Sequence, residues 1–382
     1  MIPYNKPYLT GNEINYIKQA IESGKISGNG PFTKLCHRFF EDKYNFGKCL
    51  LTSSGTDALE MAAILLNIQE GDEIIMPSYT FVSTANAFVL RGAKIIFVDS
   101  RYDHPGIDEE AIEPLITQRT KAIVVVHYAG IACNMERVLE IASNYNISIV
   151  EDAAHSVDSY YKTKPLGGMG HLAAFSFHET KNIISGEGGM LVINDKRYEE
   201  RAEIIWEKGT NRASFWRGEV DKYSWMDVGS SFLPSEITAA FLLAQLEKID
   251  SIQRKRKDIW IKYFNSLLPL QNKGLIKLPV VPSWAKSNGH LFYIVCRTYN
   301  ERSQLINYLK ENQIYAVFHY FSLHSSPFYA AKHDGRKLKR SEVYSECLVR
   351  LPLYYELEDF QITYISDCII KFYENHSTKQ VN

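Results

Sequence analysis

The sequence predicts an α/β protein: a mainly parallel sheet with helices on both faces, followed by a smaller α+β unit. Two observations predict it. Through the first half, short runs that are apolar at nearly every position (73–76, 94–98, 122–126 and 147–150) alternate with helical segments near 83–90, 109–116 and 135–145. Strands that are apolar on both faces are strands covered on both faces, the habit of parallel sheets. Further on, the alternation gives way to separate strands and helices such as 291–297 and 302–309. The change divides the chain into a large unit, 1–245, and a small one, 246–382. Length agrees, since 382 residues at about 150 per domain suggest two or three units.

The elements follow in order. Thr10 and Glu13 form a capping box ahead of Ile14, Ile17 and Ile21, and Gly24 stops that helix. A second helix opens after Gly55-Thr56 and runs through Leu59, Ala62, Ala63 and Leu66. The four apolar runs and their intervening helices come next, then strands at 172–177 and 190–194. A helix over 236–249 leads into Arg254-Lys255-Arg256-Lys257, which reads as a solvated helix face. The polar tail 376–382 is expected to fray. Crossovers in such a sheet are right-handed, and ligands collect at the carboxyl ends of its strands.

Composition excludes several classes. With 45% hydrophobic and 23% charged residues the chain is too apolar to be disordered. Lysine and arginine total 43 against 44 acids, so no net charge draws it to nucleic acid or to an anionic membrane. Its six cysteines are scattered, without zinc spacing, as in proteins of reducing compartments. No stretch is apolar enough to span a bilayer, and the expected location is cytoplasmic. There is no HExxH, no GxSxG elbow, no Walker A loop and no GxGxxG after the first strand. His319 and His324, five apart, read as core or surface histidines, and no metal is expected.

Four constellations fall at strand ends. Ser53-Ser54-Gly55-Thr56-Asp57-Ala58 opens a helix, where free N–H groups and the Thr56 hydroxyl suit a phosphate or simply cap the helix. Glu151-Asp152-Ala153-Ala154-His155 follows the run ending at Val150. Its aspartate can pair with a protonated heterocyclic nitrogen, bind a metal, or cap the next helix. Phe175-Ser176-Phe177-His178-Glu179-Thr180-Lys181-Asn182 precedes Gly186-Glu187-Gly188-Gly189 and puts a lysine just past a buried strand. That lysine is either a Schiff-base nucleophile or an ordinary surface residue. In Pro77-Ser78-Tyr79-Thr80-Phe81 the last ring can stack on a flat ligand or pack in the core.

Together and in this order, the four motifs resemble the nucleotide-sugar aminotransferases that depend on pyridoxal 5'-phosphate (PLP), the DegT/StrS family of the aspartate-aminotransferase fold. Gly28-Asn29-Gly30-Pro31, Phe97-Val98-Asp99, His290-Leu291-Phe292, His319-Tyr320 and Leu323-His324 extend the resemblance to essentially the whole chain. It implies a seven-stranded, mainly parallel sheet and a homodimer with shared active sites. It implies Lys181 as the lysine that binds PLP covalently, and Asp152 as the partner of the pyridine nitrogen. Phe81 would stack on the ring, His155 would lie beside it, and Gly55, Thr56 and Ser176 would hold the phosphate. Lys181 follows Asp152 by 29 residues, room for one helix-and-strand excursion. Where many relatives read Gly-Tyr-Asn-Tyr-Arg-Met, this chain has Gly229-Ser230-Ser231-Phe232-Leu233-Pro234. Ser231 thus stands for the asparagine that reaches the partner's cofactor phosphate.

The strings at 76–87 and 175–182 are most similar to the branch that aminates dTDP-4-keto-6-deoxy-D-glucose with L-glutamate. The implied product is dTDP-4-amino-4,6-dideoxy-D-galactose, used for O-antigen and enterobacterial common antigen. Amination of another position or epimer, and a silent nucleotide-sugar regulator, are the alternatives. Related 3-dehydratases have histidine for the lysine, so Lys181 speaks for transamination, and a regulator is expected to have lost Lys181 or Asp152.

Overall fold

A computed structural model describes residues 1–378. Seven strands form the central sheet: β1 (Lys48–Thr52), β2 (Glu73–Pro77), β3 (Lys94–Val98), β4 (Thr120–Val126), β5 (Ser148–Asp152), β6 (Leu172–Ser176) and β7 (Gly189–Ile193). Their order across the sheet is β1-β7-β6-β5-β4-β2-β3. The pairs among β3, β2, β4, β5 and β6 are parallel, and β7 alone runs against its neighbours β1 and β6.

Adjacent residues of the strands face opposite cores. Ile75, Ile123, Val125 and Ile149 join one cluster, with Val138 and Ile141 of helix α5 (Met135–Tyr145). Ile74, Met76, Val124 and Val150 join another, under α3 (Gly55–Leu65) and α4 (Val82–Val89). A third packs Phe175, Met190 and Val192 against α2 (Pro31–Tyr44) and α8 (Glu236–Leu246). Burying each such side chain contributes about 1.5–3 kcal/mol, which is why the runs are apolar at consecutive positions.

The departures from expectation have local causes. Residues 109–116 form two single 3₁₀ turns, Glu109–Ala111 and Glu113–Leu115, because Pro114 has no N–H to continue a helix. In α1 (Glu13–Glu22) the Glu13 carboxylate accepts the Thr10 and Gly11 N–H groups at 2.7 and 2.9 Å, but no side chain caps the helix in return. Its apolar stripe is only partly core: Ile17 packs against the third cluster, whereas Ile14 and Ile21 are 75% and 55% exposed. The helix expected at 236–249 ends at Leu246, and α9 (Ile249–Asn272) carries the basic run. Arg256 of that run is buried, donating to the carbonyls of His290 (2.6 Å) and Leu353 (3.3 Å), so this position is no solvated face.

Beyond α9, strands β8 (Phe292–Val295), β9 (Val317–Phe318) and β10 (Leu348–Leu351) make an antiparallel sheet in the order β8-β10-β9. The amino terminus returns to it: Ile2 bridges to Ile314, and the Tyr4 carbonyl accepts the Leu353 N–H. The last helix ends at Thr378, and residues 379–382 of the tail lie outside the described part. No helix among the described residues is long and apolar enough to cross a membrane.

Candidate active site

Loops at the carboxyl ends of β1, β2, β4, β5 and β6 converge on one cavity of ≈ 420 Å³, closed from the other side by residues of the C-terminal sheet. Asp152, the last residue of β5, is buried there. Its carboxylate accepts the Thr84 hydroxyl at 2.7 Å and the Ala154 N–H at 3.2 Å, and Thr84 shares a further bond with Thr80. Burial pushes this carboxyl up, and Thr84, Ala154 and the charge of Lys181 offset that only in part.

Lys181 occupies the turn after β6, where its N–H donates to the His178 carbonyl at 2.8 Å. Burial lowers the ammonium to about 8; Asp152 pulls the other way, and the charge of Arg350 adds to the lowering. The amine is therefore available at moderately alkaline pH, as a nucleophile or a proton carrier must be. Beneath it, the neighbouring Glu151 faces the other side of the sheet, bonded by His127 and the N–H groups of Gly167, Met169 and Gly170. Burial raises that carboxyl, yet these donors more than compensate and hold it below its ordinary value. Glu151 anchors the strand end that carries Asp152.

The amino end of α3 forms a cup. Ser54 caps the helix by accepting the Asp57 N–H at 3.0 Å, which leaves Gly55 and Thr56 at the rim. A Cβ on Gly55 would stand 2.9 Å from Ser176 Cβ, and one on Gly189 only 2.3 Å from the Ser54 carbonyl carbon. Both glycines are required by close approach of β7, α3 and the β6 end. The Thr56 hydroxyl donates to Ser83 at 2.8 Å, and Ser176 lines the opposite wall.

Phe81 lies at the cavity with 53% of its surface exposed, so it is not a core residue. His155 is stacked on His290 with centroids 4.2 Å apart and accepts the Ala129 N–H on Nδ1 at 3.3 Å. Burial, with the charges of Lys181 and Arg350, keeps it neutral. His319 bonds the Tyr128 hydroxyl at 2.6 Å, and His324 bonds Ser78 at 2.7 Å. Of the expected site residues, Gly55, Thr56, Phe81, Asp152, His155, Ser176 and Lys181 meet in this cavity. Ser231 does not: it pairs with Glu207 and is exposed, away from the cavity of its own chain. Thr84, Tyr320 and Arg350 were not singled out from sequence as site residues. Arg350 had a signal, a lone cation in the apolar run 348–353.

The chain matches the family model of the DegT/DnrJ/EryC1/StrS aminotransferases over residues 7–370. It is 34% identical over 381 residues to GDP-perosamine synthase of Escherichia coli O157:H7, covering 98% of this chain and 99% of that protein. Among solved structures it is similar to the aminotransferase TlmJ from Streptoalloteichus hindustanus, at a TM-score of 0.90, 25% identity and coverage of 99% and 100%. The PLP form of Spr1654 from Streptococcus pneumoniae gives 0.88 and 26%, over 98% of this chain and 99% of that one. With that match over nearly its whole length, on the fold and cavity described, this chain belongs to the DegT/DnrJ/EryC1/StrS family and is a PLP-dependent aminotransferase.

Proposed function

We propose that this enzyme moves the amino group of L-glutamate onto the carbonyl of a nucleotide-linked 4-keto-6-deoxy sugar, using the cavity around Lys181. The observation that carries this is the convergence of a depressed lysine, a buried carboxylate and a helix amino end on one cavity. This donor set fits PLP. The rim at Gly55, bare of side chain, with the hydroxyls of Thr56 and Ser176, suits a phosphate. Asp152 suits a protonated ring nitrogen, which offers the counter-charge that its burial calls for. Lys181 suits the aldehyde, and the exposed ring of Phe81 with neutral His155 suits an aromatic plane.

When bound, PLP supplies an electron sink that tolerates loss of a proton from the carbon bearing the amine. The chain does the rest. Lys181 Nζ, which gives up its proton around pH 8 rather than at the ordinary 10.5, takes the proton from the amino acid's Cα and returns one on the opposite side of the exchange. Asp152, steadied by Thr84, holds the ring-nitrogen proton in place. In the return half, the same lysine delivers a proton to the sugar carbon that receives the amine.

The strings at 76–87 and 175–182 favour dTDP-4-keto-6-deoxy-D-glucose as acceptor and dTDP-4-amino-4,6-dideoxy-D-galactose as product. A second reading is a GDP-linked sugar, favoured by the relative named GDP-perosamine synthase. Residues of both strings line the cavity around Lys181, whereas the 34% identity runs the length of the chain. Incubation with glutamate and each nucleotide keto-sugar, with NMR of the product, decides between them. The dTDP assignment requires an axial 4-amine on the dTDP sugar. Turnover of the GDP sugar alone would replace it, and amination at C3 would overturn the 4-keto assignment.

A further inference from the structure

A chain of buried side chains runs beside the Lys181 turn, and its direction is fixed at one end. The Val157 carbonyl can only accept, and it takes a hydrogen from Gln253 Nε2 at 2.8 Å. Gln253 must therefore turn Oε1 to Asn182, whose Nδ2 donates to it at 2.8 Å and to the Asn288 carbonyl at 3.3 Å. That leaves Asn182 Oδ1 for His290 Nδ1, 2.8 Å away. Burial keeps the His290 ring neutral, so Nδ1 carries its one hydrogen and Nε2 is a bare acceptor. Asn182, Gln253 and His290 are all buried, and Arg256 holds the His290 carbonyl at 2.6 Å, so ring and backbone are both fixed. His290 lines the active-site cavity, where Nε2 has no partner among the described residues and is not sealed from solvent. The ring stacked on it is its opposite: His155 Nδ1 accepts the Ala129 N–H, so the His155 hydrogen sits on Nε2.

We propose that His290 Nε2 accepts the hydrogen of the sugar hydroxyl next to the reacting carbonyl, and so helps select the acceptor. The inference rests on the nucleotide-sugar reading above and names a residue that recognises that sugar. An acceptor facing a cavity calls for a donor, and few of the incoming groups are donors. The cofactor phosphate and the carboxylates of glutamate only accept. The glutamate amine is consumed at the aldehyde, and the proton of the ring nitrogen is matched by Asp152. A nucleoside base lies beyond the diphosphate, far from the reacting carbon. His290 is near enough to Lys181 to feel its charge, which places it at the reacting end. What remains is the hydroxyl on C3, adjacent to the carbonyl of a 4-keto sugar. A site built around such a hydroxyl rejects an analogue that lacks it, because the acceptor is then left unpaired. Asn182 and Gln253 act through His290, as positioning residues that fix which nitrogen is bare.

The test uses the wild-type holoenzyme, His290→Phe and His290→Gln, and follows the two half-reactions separately by absorbance. Phenylalanine keeps a ring to stack on His155 but has no acceptor, whereas glutamine returns an amide oxygen to the Nε2 position. His290→Phe should raise the KM for the keto-sugar that wild-type enzyme accepts, dTDP- or GDP-linked, roughly tenfold or more. The glutamate half-reaction should change much less, and His290→Gln should recover part of the loss. Wild-type enzyme should lose a similar factor with the analogue lacking the 3-hydroxyl, and His290→Phe should add nothing further to it. Nitrogen-15 spectra of the apoenzyme should show the His290 hydrogen on Nδ1, and Gln253→Met should release that preference. Equal loss in both half-reactions would overturn the assignment, since it marks a structural residue. Additive losses for variant and analogue would overturn it too, as would a His290 hydrogen on Nε2. If wild-type enzyme aminates no nucleotide keto-sugar, the acceptor reading fails and His290 falls with it. Normal wild-type amination with an indifferent His290→Phe refutes His290 alone.

Discussion

Lys181 and Asp152 are opposite charges in one cavity, and burial moves each toward its neutral form. This makes both responsive to what the cavity receives. Cofactor capture by the apoenzyme should accelerate with rising pH around about 8, where Lys181 loses its proton, rather than near the ordinary 10.5. Stopped-flow absorbance on apoenzyme checks this; a midpoint near 10.5 would mean the lysine is solvated. Asp152→Asn keeps the size of the side chain but removes the anion. It should retain the cofactor and slow the glutamate half-reaction roughly a hundredfold or more. An unaffected rate would remove Asp152 from the chemistry. Neither residue was legible alone, since an aspartate at a strand end can cap a helix and a loop lysine can be solvated; the four motifs taken together and in order gave the resemblance that assigned both. Thr84 was hidden, since its bond to Asp152 spans 68 residues and exists only once α4 packs over the sheet.

Elements place these residues, and the cup at α3 is the most constrained of them. Gly55→Ala forces a methyl to 2.9 Å from Ser176 Cβ. The expected cost is about 1–3 kcal/mol in urea unfolding, together with clearly weaker cofactor retention on dialysis. Retention equal to wild type would show that this rim holds no phosphate. The sheet's buried strands were readable from apolar runs, but β1 was not. Its five residues, Lys48 to Thr52, start with a charge, and their burial comes from pairing with β7, far along the chain. The helix expected at 109–116 failed on Pro114, and periodicity alone outweighed that breaker. The stripe of Ile14 and Ile21 shows the limit of amphipathic patterns: they report an apolar face without saying what covers it.

At the scale of the whole molecule, the small C-terminal sheet matters to the cavity because it brings His319, Tyr320 and Arg350 to face the large sheet. The proposed division at 245/246 falls in the last turn of α8, shortly before α9, whose buried Arg256 ties it to His290 and Leu353. Ile14 and Ile21 of α1 and, upstream of Ser231, Trp216 and Trp225 are exposed apolar side chains, the kind of surface that the homodimer expected from the resemblance would need. If Ser231 serves the partner's phosphate, mixing Lys181→Ala with Ser231→Arg chains should restore one intact site per mixed dimer. Activity well above that of either inactive parent supports shared sites, and silence contradicts them. The central claim is that Lys181 carries PLP in an aminotransferase site. Borohydride reduction of the holoenzyme, followed by peptide mass analysis, tests it most directly. The phosphopyridoxyl group should be found on Lys181, and Lys181→Ala should lose both the label and the amino transfer. A label on another lysine, or full turnover by Lys181→Ala, would contradict the account.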